Sequence, residues 1–365
     1  MYHKELTAIK KSNRYRERKI SDESLIDLAS NDYLGLASNK VLFQKAYERV
    51  LANGHFGPKA SILVNGYSTI HKTFEEALCQ ANGFEEGVIV GSGFLANLSM
   101  IEALVRKKDT LFIDEEYHAS GMVATKLLQK NQVILFKHND ANDLKAKIEA
   151  SNTLQGRVVI AIEGVYSMHG DIASREIFDI ADDYNAILIV DEAHSSGVIG
   201  ENLLGIFDYY NIQPKQNHIK MGTLGKAYGS YGAYILSSKA IIDFLINRAK
   251  AIIYTTAPSL FDTAMGLESL YYILEHKKEL KAKIEKNLEI IENILNIKSK
   301  SLIIPIIIND NKKVLEIQSK LKESGLVVGA IRQPTVKEAI IRLIAKIDIN
   351  QKDLIQTCNL LKEYR

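Results

Sequence analysis

Cysteine, proline and long apolar runs are scarce in this chain, and each scarcity argues against a class of protein. Two cysteines, Cys79 and Cys358, occur among 365 residues. Neither has a His or Cys at ligand spacing, so no disulfide framework and no zinc site is indicated, and a reducing, cytoplasmic compartment fits. Five prolines leave no Pro-rich linker, and the chain has no internal repeat or low-complexity tract. The most apolar run, Leu302 to Ile308, is too short to cross a bilayer and contains Pro305, so it reads as a buried strand. The N-terminus is polar and mixed in charge, without the apolar stretch of a secretory signal. An excess of one charge is also missing. A formal net charge of +2 gives no argument for nucleic acid or an acidic membrane surface as partner.

What is present suits an enzyme-sized globular protein. A content of 46% apolar residues is ordinary, and 365 residues exceed one hydrophobic core, so two or more packed units are expected. The first residues, to Arg18, are helical in composition. Leu28 to Leu36 is apolar but carries Asn31 and Asp32, which alone read as an Asx-type turn. Apolar residues at helical spacing predict a helix over Val41 to Leu51, and Ser68 is placed to cap a helix bearing Ile70, Phe74, Leu78 and Ala81.

From Gly87 short β-branched runs alternate with amphipathic stretches: Val88 to Val90, Thr110 to Ile113, Val133 to Phe136, Val158 to Ile162 and Ile187 to Val190. Continuous apolar runs between helices predict a parallel sheet covered on both faces, with ligands beyond the carboxyl ends of its strands. The residues after each run are polar. Gly93 and Phe94 open a helix whose first N–H groups face any anion. His118 follows the second run, Glu163 and Ser167 the fourth, and Asp191 and His194 the fifth. Each group singly has a modest explanation as a cap or a satisfied core residue. With Thr223 and Lys226 after a further short strand ending at Met221, five strand ends deliver polar groups to one rim, which is harder to assign to capping.

The Gly-rich stretch Met221 to Gly232 follows a further short strand, His218 to Met221, and presents one lysine, Lys226. A phosphate-binding P-loop needs a glycine where Lys220 stands and a Ser or Thr where Ala227 stands, so that reading fails at both ends. Lys226 as an amine that forms a Schiff base remains, with Thr223 close enough to bond a phosphate. A dinucleotide site is disfavoured because no third glycine follows Gly91-Ser92-Gly93. A metal held by His118, Asp191 and His194 would leave Lys226 unexplained.

Asp191-Glu192-Ala193-His194-Ser195-Ser196-Gly197, Thr223-Leu224-Gly225-Lys226 and Asn31-Asp32-Tyr33-Leu34-Gly35-Leu36 together resemble the α-oxoamine synthases, over about Leu28 to Ile344. The resemblance implies pyridoxal-phosphate fold type I, aspartate-aminotransferase-like and α/β. A large, mostly parallel seven-stranded sheet domain (41–275) would follow an N-terminal segment (1–40) and precede a smaller α+β C-terminal domain (276–365). The segments Ile253 to Thr256 and Ile331 to Val336 are most similar to the branch that condenses L-alanine with a pimeloyl thioester in biotin synthesis. Glycine acetyltransfer and a catalytically silent scaffold subunit are the alternatives.

The resemblance also implies roles. Lys226 would hold pyridoxal 5'-phosphate covalently, Asp191 would pair with its ring nitrogen, His118 would stack on the ring, and His194 with Ser167 would hold its phenolic oxygen. Gly93, Phe94 and Thr223 would bind the phosphate, joined by Thr255 or Thr256 of a neighbouring subunit, so a homodimer with shared sites is expected. Arg332, with Asn31 nearby, would take the substrate carboxylate. Thr335 would line the acyl-donor side and Arg16 would touch substrate, with coenzyme A or an acyl-carrier protein as the donor's carrier. No metal is implied. One departure from the family is Gly57-Pro58-Lys59-Ala60-Ser61-Ile62, which replaces a glycine-rich turn.

Overall fold

The computed structural model describes all residues except 13, 14, 19, 152–154 and 365. Twelve strands occur among the described residues, in chain order β1 (Ile26–Asp27), β2 (Glu86–Val90), β3 (Thr110–Asp114), β4 (Val133–Phe136), β5 (Val158–Glu163) and β6 (Ile187–Asp191), followed by β7 (His218–Thr223), β8 (Ala233–Ser237), β9 (Ile303–Ile307), β10 (Leu326–Val327), β11 (Gly329–Ile331) and β12 (Ile340–Ile344). Seven of them form one sheet in the order β2-β8-β7-β6-β5-β3-β4. All its pairings are parallel except those of β8, which runs antiparallel to both β2 and β7.

Burial on both faces explains the unbroken apolar runs. Along β5, Ile160 and Ile162 enter one core while Val159 and Ala161 enter the other, and β6 alternates in the same way with Leu188 and Val190 against Ile187 and Ile189. The Val, Leu and Ile side chains each contribute about 1.5–3 kcal/mol on full burial, so a polar residue within such a strand is costly and polar groups collect at its end. The five runs read from the sequence are strands with bounds shifted by at most two residues.

The helix predicted over Val41 to Leu51 spans Lys40–Ala52, capped by the Asn39 side chain, and Ser68 precedes the helix Thr69–Asn82. At the N-terminus the helix is His3–Lys11 and stops well short of Arg18. Helix Leu260–Leu295 runs for 36 residues and passes straight through the expected boundary at 275/276. Its second half packs beside a three-stranded antiparallel sheet, β11-β12-β9, whose Ile304, Ile306, Ile341 and Leu343 join the same core as one face of the large sheet. The N-terminal segment also belongs here, because β1 pairs with β10 in parallel register. Lys59, in the altered turn, holds φ +63, and a Cβ on Gly66 would lie 2.1 Å from the Ala60 carbonyl oxygen.

Candidate active site

The carboxyl ends of β3, β5, β6 and β7 and the turn before β8 surround a cavity of about 200 Å³ whose lining includes Gly93, Phe94, His118, Asp191, His194, Thr223 and Lys226. The β7–β8 turn puts Lys226 there: Ser230 N–H donates to the Leu224 carbonyl and Gly229 N–H to that of Lys226, which folds the glycine-rich stretch back on itself. Lys226 Nζ sits 2.7 Å from His194 Nε2. Burial lowers the Lys226 amine to about 8, against the opposing attraction of Asp191 and Glu163. His194 is buried, and its burial together with the Lys226 and Arg342 charges holds it neutral, well below the usual histidine range. Its Nδ1 lies 2.5 Å from the hydroxyl of Tyr33, a fully buried residue of the N-terminal segment.

Asp191 is fixed at the end of β6 by two donors, the Asn97 amide at 2.8 Å and the Ala193 N–H at 2.9 Å. Asn97 also donates to Ser120 Oγ at 2.8 Å and accepts from Tyr117 Oη at 2.7 Å, while Ser120 Oγ is 2.7 Å from His118 Nδ1. One hydrogen-bonded chain thus runs from His118 to Asp191. Asn97 lies within the helix Gly93–Leu104, whose first-turn N–H groups, those of Gly93 and Phe94, open on the cavity. His118 lines this cavity and the next one with one edge open to solvent, and partial desolvation together with the Lys226 charge lowers its basicity against the pull of Asp191.

The adjoining cavity is larger, about 710 Å³, and is lined by Arg16, Glu115, Glu116, Ser167, Thr335 and Lys337 among others. The structure brings the expected Arg16, Ser167 and Thr335 there. Ser167 stands apart from the smaller cavity's lining; its N–H donates to Glu163 Oε2 and its carbonyl accepts from Arg342 Nε at 2.8 Å.

The arginine beside Asn31 is Arg342 on β12, where Arg332 was expected. Both terminal nitrogens of Arg342 lie 3.1 Å from Asn31 Oδ1, and the side chain is buried. Arg332 follows β11 and is half-buried; like Arg342 and Asn31, it is not among the residues lining either cavity. The segment Ile340–Ile344 reads as a plain apolar strand, and the available signal was a lone cation at an alternate position within it. Asn97 and Tyr33 were missed for the same reason, being polar groups inside apolar stretches. Thr255 and Thr256 lie after the helix Lys250–Ile253 and line neither cavity of their own chain. Among the described residues no group of three or more His, Cys, Asp or Glu side chains is arranged to hold a metal ion.

Comparison with known proteins gives the family. The family model for aminotransferase class I and II matches residues 23–356. The 8-amino-7-oxononanoate synthase of Helicobacter pylori (strain 26695) is 45% identical over 366 residues, covering 100% of this chain and 97% of the relative. That of Saccharophagus degradans is 34% identical, covering 99% and 95%. Among solved structures, the 8-amino-7-oxononanoate synthase of Francisella tularensis is 27% identical with a TM-score of 0.79, covering 94% of this chain and 98% of that one. A serine palmitoyltransferase of S. paucimobilis, 20% identical with a TM-score of 0.89 over 99% and 96% of the two chains, shares the fold. The chain belongs to the aminotransferase class I and II family, the fold-type-I enzymes that work with pyridoxal phosphate.

Proposed function

We propose that this chain is an 8-amino-7-oxononanoate synthase, a cytoplasmic enzyme that condenses L-alanine with a pimeloyl thioester and releases carbon dioxide. The observation that carries the reading is Lys226 Nζ in one cavity with Asp191 and a helix N-terminus, opening beside a larger cavity of about 710 Å³. The 45% identity to the Helicobacter pylori enzyme over the whole chain supports the choice of amino acid and acyl group.

The residues present fit the cofactor by their chemistry. An amine, a doubly hydrogen-bonded carboxylate, an exposed imidazole and free backbone N–H groups line one cavity. Lys226 would hold the cofactor, Asp191 its ring nitrogen, and Gly93, Phe94 and Thr223 its phosphate. Pyridoxal phosphate, when bound, supplies a carbonyl for amines and a ring that accepts electron density from a bond broken at the amino acid's α-carbon.

Lys226 takes and returns the α-proton, because a buried amine lowered to about 8 is part neutral near pH 7 and regains its proton readily. With Lys226 charged, its N–H donates to His194 Nε2, His194 Nδ1–H donates to Tyr33, and Tyr33 donates to Asn31 Oδ1 at 3.3 Å. Arg342 and Asn31 orient the substrate carboxylate, and a planar guanidinium suits that task. Thr335 and Arg16 lie on the wall available to the acyl donor.

The shared-site homodimer belongs to the same proposal. Phe56, Leu63, Val64, Phe94, Tyr231 and Tyr254 are exposed apolar side chains. The loop bearing the first three adjoins the Thr255–Thr256 segment through the Ala257 N–H, which donates to the Ala60 carbonyl at 3.0 Å. A second copy seated on these side chains would cover them and would bring its threonines to this cavity.

The test is reconstitution with pyridoxal phosphate, followed by assay of alanine, glycine and serine against pimeloyl, acetyl and palmitoyl thioesters. Carbon dioxide and 8-amino-7-oxononanoate from alanine and the pimeloyl donor are expected, with none from K226A. Faster turnover of another pair would replace the proposal.

A further inference from the structure

Glu163 ends β5 beside Asp191 at the end of β6, and the two are register partners. It is 1% exposed and lines the cavity that holds Lys226. These are the only two carboxyl groups among the lining residues, and their oxygens are treated differently. Asp191 receives the Asn97 amide on Oδ2 and the Ala193 N–H on Oδ1. Glu163 receives one donor, the Ser167 N–H on Oε2 at 3.1 Å, and its Oε1 is buried with no partner.

Two adjacent buried carboxylates do not both ionise readily, and the charge settles where donors are most numerous. A bare anionic oxygen in a buried site carries a large desolvation penalty. Lys226 faces Glu163 from the β7–β8 turn as the counter-charge, but it also faces Asp191 and bonds to His194. Asp114 on β3 adds a further negative charge, and the nearby hydroxyls of Tyr33, Tyr117 and Tyr166 are all raised away from ionisation by burial.

We propose that Glu163 is held as a neutral carboxylic acid, a positioning residue that leaves Asp191 the sole anion of the cavity lining and offers the Oε1 hydroxyl as a donor to the group bound there. The donor role rests on the reading of this cavity as the pyridoxal-phosphate site. The direction of its acidity agrees: burial first, then the Asp191 charge, push the Glu163 carboxyl well above the usual range, against the pull of Lys226. Glutamate here differs from aspartate at 191 in function as well as in length, since one supplies a proton and the other a charge.

Infrared difference spectra of the full-length protein, with and without pyridoxal phosphate and with 13C-labelled glutamate, test the proton directly. At neutral pH the proposal expects a protonated-carboxyl carbonyl band that shifts with the label and is absent from E163Q. A loss confined to ionised carboxylate bands in E163Q would overturn it. If E163Q does not fold, persistence of the labelled band in the wild type between pH 6 and 8 still decides.

The second arm is a pH titration of the bound cofactor's visible spectrum. In E163Q, which keeps a neutral donor, the midpoint stays within about 0.3 unit of wild type, whereas E163L weakens cofactor binding about tenfold for one lost hydrogen bond. A midpoint lowered by about one unit or more in E163Q would show that an anion had been removed, and would overturn the proposal. Failure of the wild-type protein to bind pyridoxal phosphate would overturn the donor role with the cavity reading, while the infrared band of the apoprotein separately decides the proton.

Discussion

Tyr33 Oη stands 2.5 Å from His194 Nδ1, and the far nitrogen of that imidazole stands 2.7 Å from Lys226 Nζ. A residue close to the N-terminus therefore orients the histidine that contacts the lysine. Y33F leaves a buried imidazole nitrogen without its partner, a loss of about 1–3 kcal/mol. We expect kcat to fall about tenfold or more with cofactor content unchanged, measured by steady-state kinetics alongside cofactor absorbance. Unchanged kcat would show that the hydroxyl is idle.

Arg342 and Arg332 are separable by kinetics. Because Arg342 presents both terminal nitrogens beside Asn31, R342K loses the planar fork and the KM for alanine should rise about 10–100-fold, as for a charged hydrogen-bonded contact of roughly 1.5–3 kcal/mol. R332K should change it less than about threefold. The reverse ranking would restore the expectation drawn from the Ile331 to Val336 segment.

Lys226 gives a pH signature. Burial lowers its amine to about 8 from the ordinary lysine value of 10.5, and only the neutral amine attacks an aldehyde. The rate at which the apoprotein takes up pyridoxal phosphate should climb about tenfold per unit below pH 8 and level off above it. A rate still climbing to pH 10 would place the amine in water. In stability terms the sign is the same: the folded state resists protonation of this amine, so its destabilising contribution is largest below pH 8 and fades towards 10.5.

His138 behaves in the opposite sense. Burial opposes its charge, but hydrogen bonds to Asp114 at 3.1 Å and Asp171 at 3.2 Å outweigh it and raise the imidazole to about 10 from 6.5. A folded-state value above the unfolded one gives stability that is fully present below pH 6.5 and lost as pH rises through 10. H138Q should lower Tm most at pH 6, with the gap to wild type narrowing steadily to pH 10. A gap constant with pH would mean that packing against Tyr166, 4.4 Å away between ring centres, is the whole effect.

Much of this architecture could be read from the chain because its strands are buried on both sides. Val158 to Ile162 and Ile187 to Val190 stay apolar without interruption, and the groups that follow them converge by topology alone. β8 was not located. Ala233–Ser237 is short, follows the glycine-rich turn directly, and gains its identity from antiparallel pairing with β2, more than 140 residues earlier, and with β7. Of the site, Lys226, Asp191, His194, His118, Gly93 and Thr223 were legible because they follow strands or sit in an open turn. Asn97 and Arg342 were not, since periodicity marks the face a residue occupies and not the partner awaiting it across the fold.

The N-terminal segment is tied both to β10 and to the strand that carries Arg342. The Leu28 carbonyl accepts from the Ile344 N–H at 2.9 Å and the Tyr33 carbonyl from the Ile347 N–H at 3.1 Å, so the chain carrying Asn31 and Tyr33 is stitched to the strand carrying Arg342. Asn31, Tyr33 and Arg342 therefore belong to one backbone-bonded unit, while Lys226 belongs to the turn between β7 and β8 of the seven-stranded sheet. The Tyr33–His194 hydrogen bond crosses between the two, so a substitution that loosens the N-terminal segment should also disturb the imidazole beside the lysine.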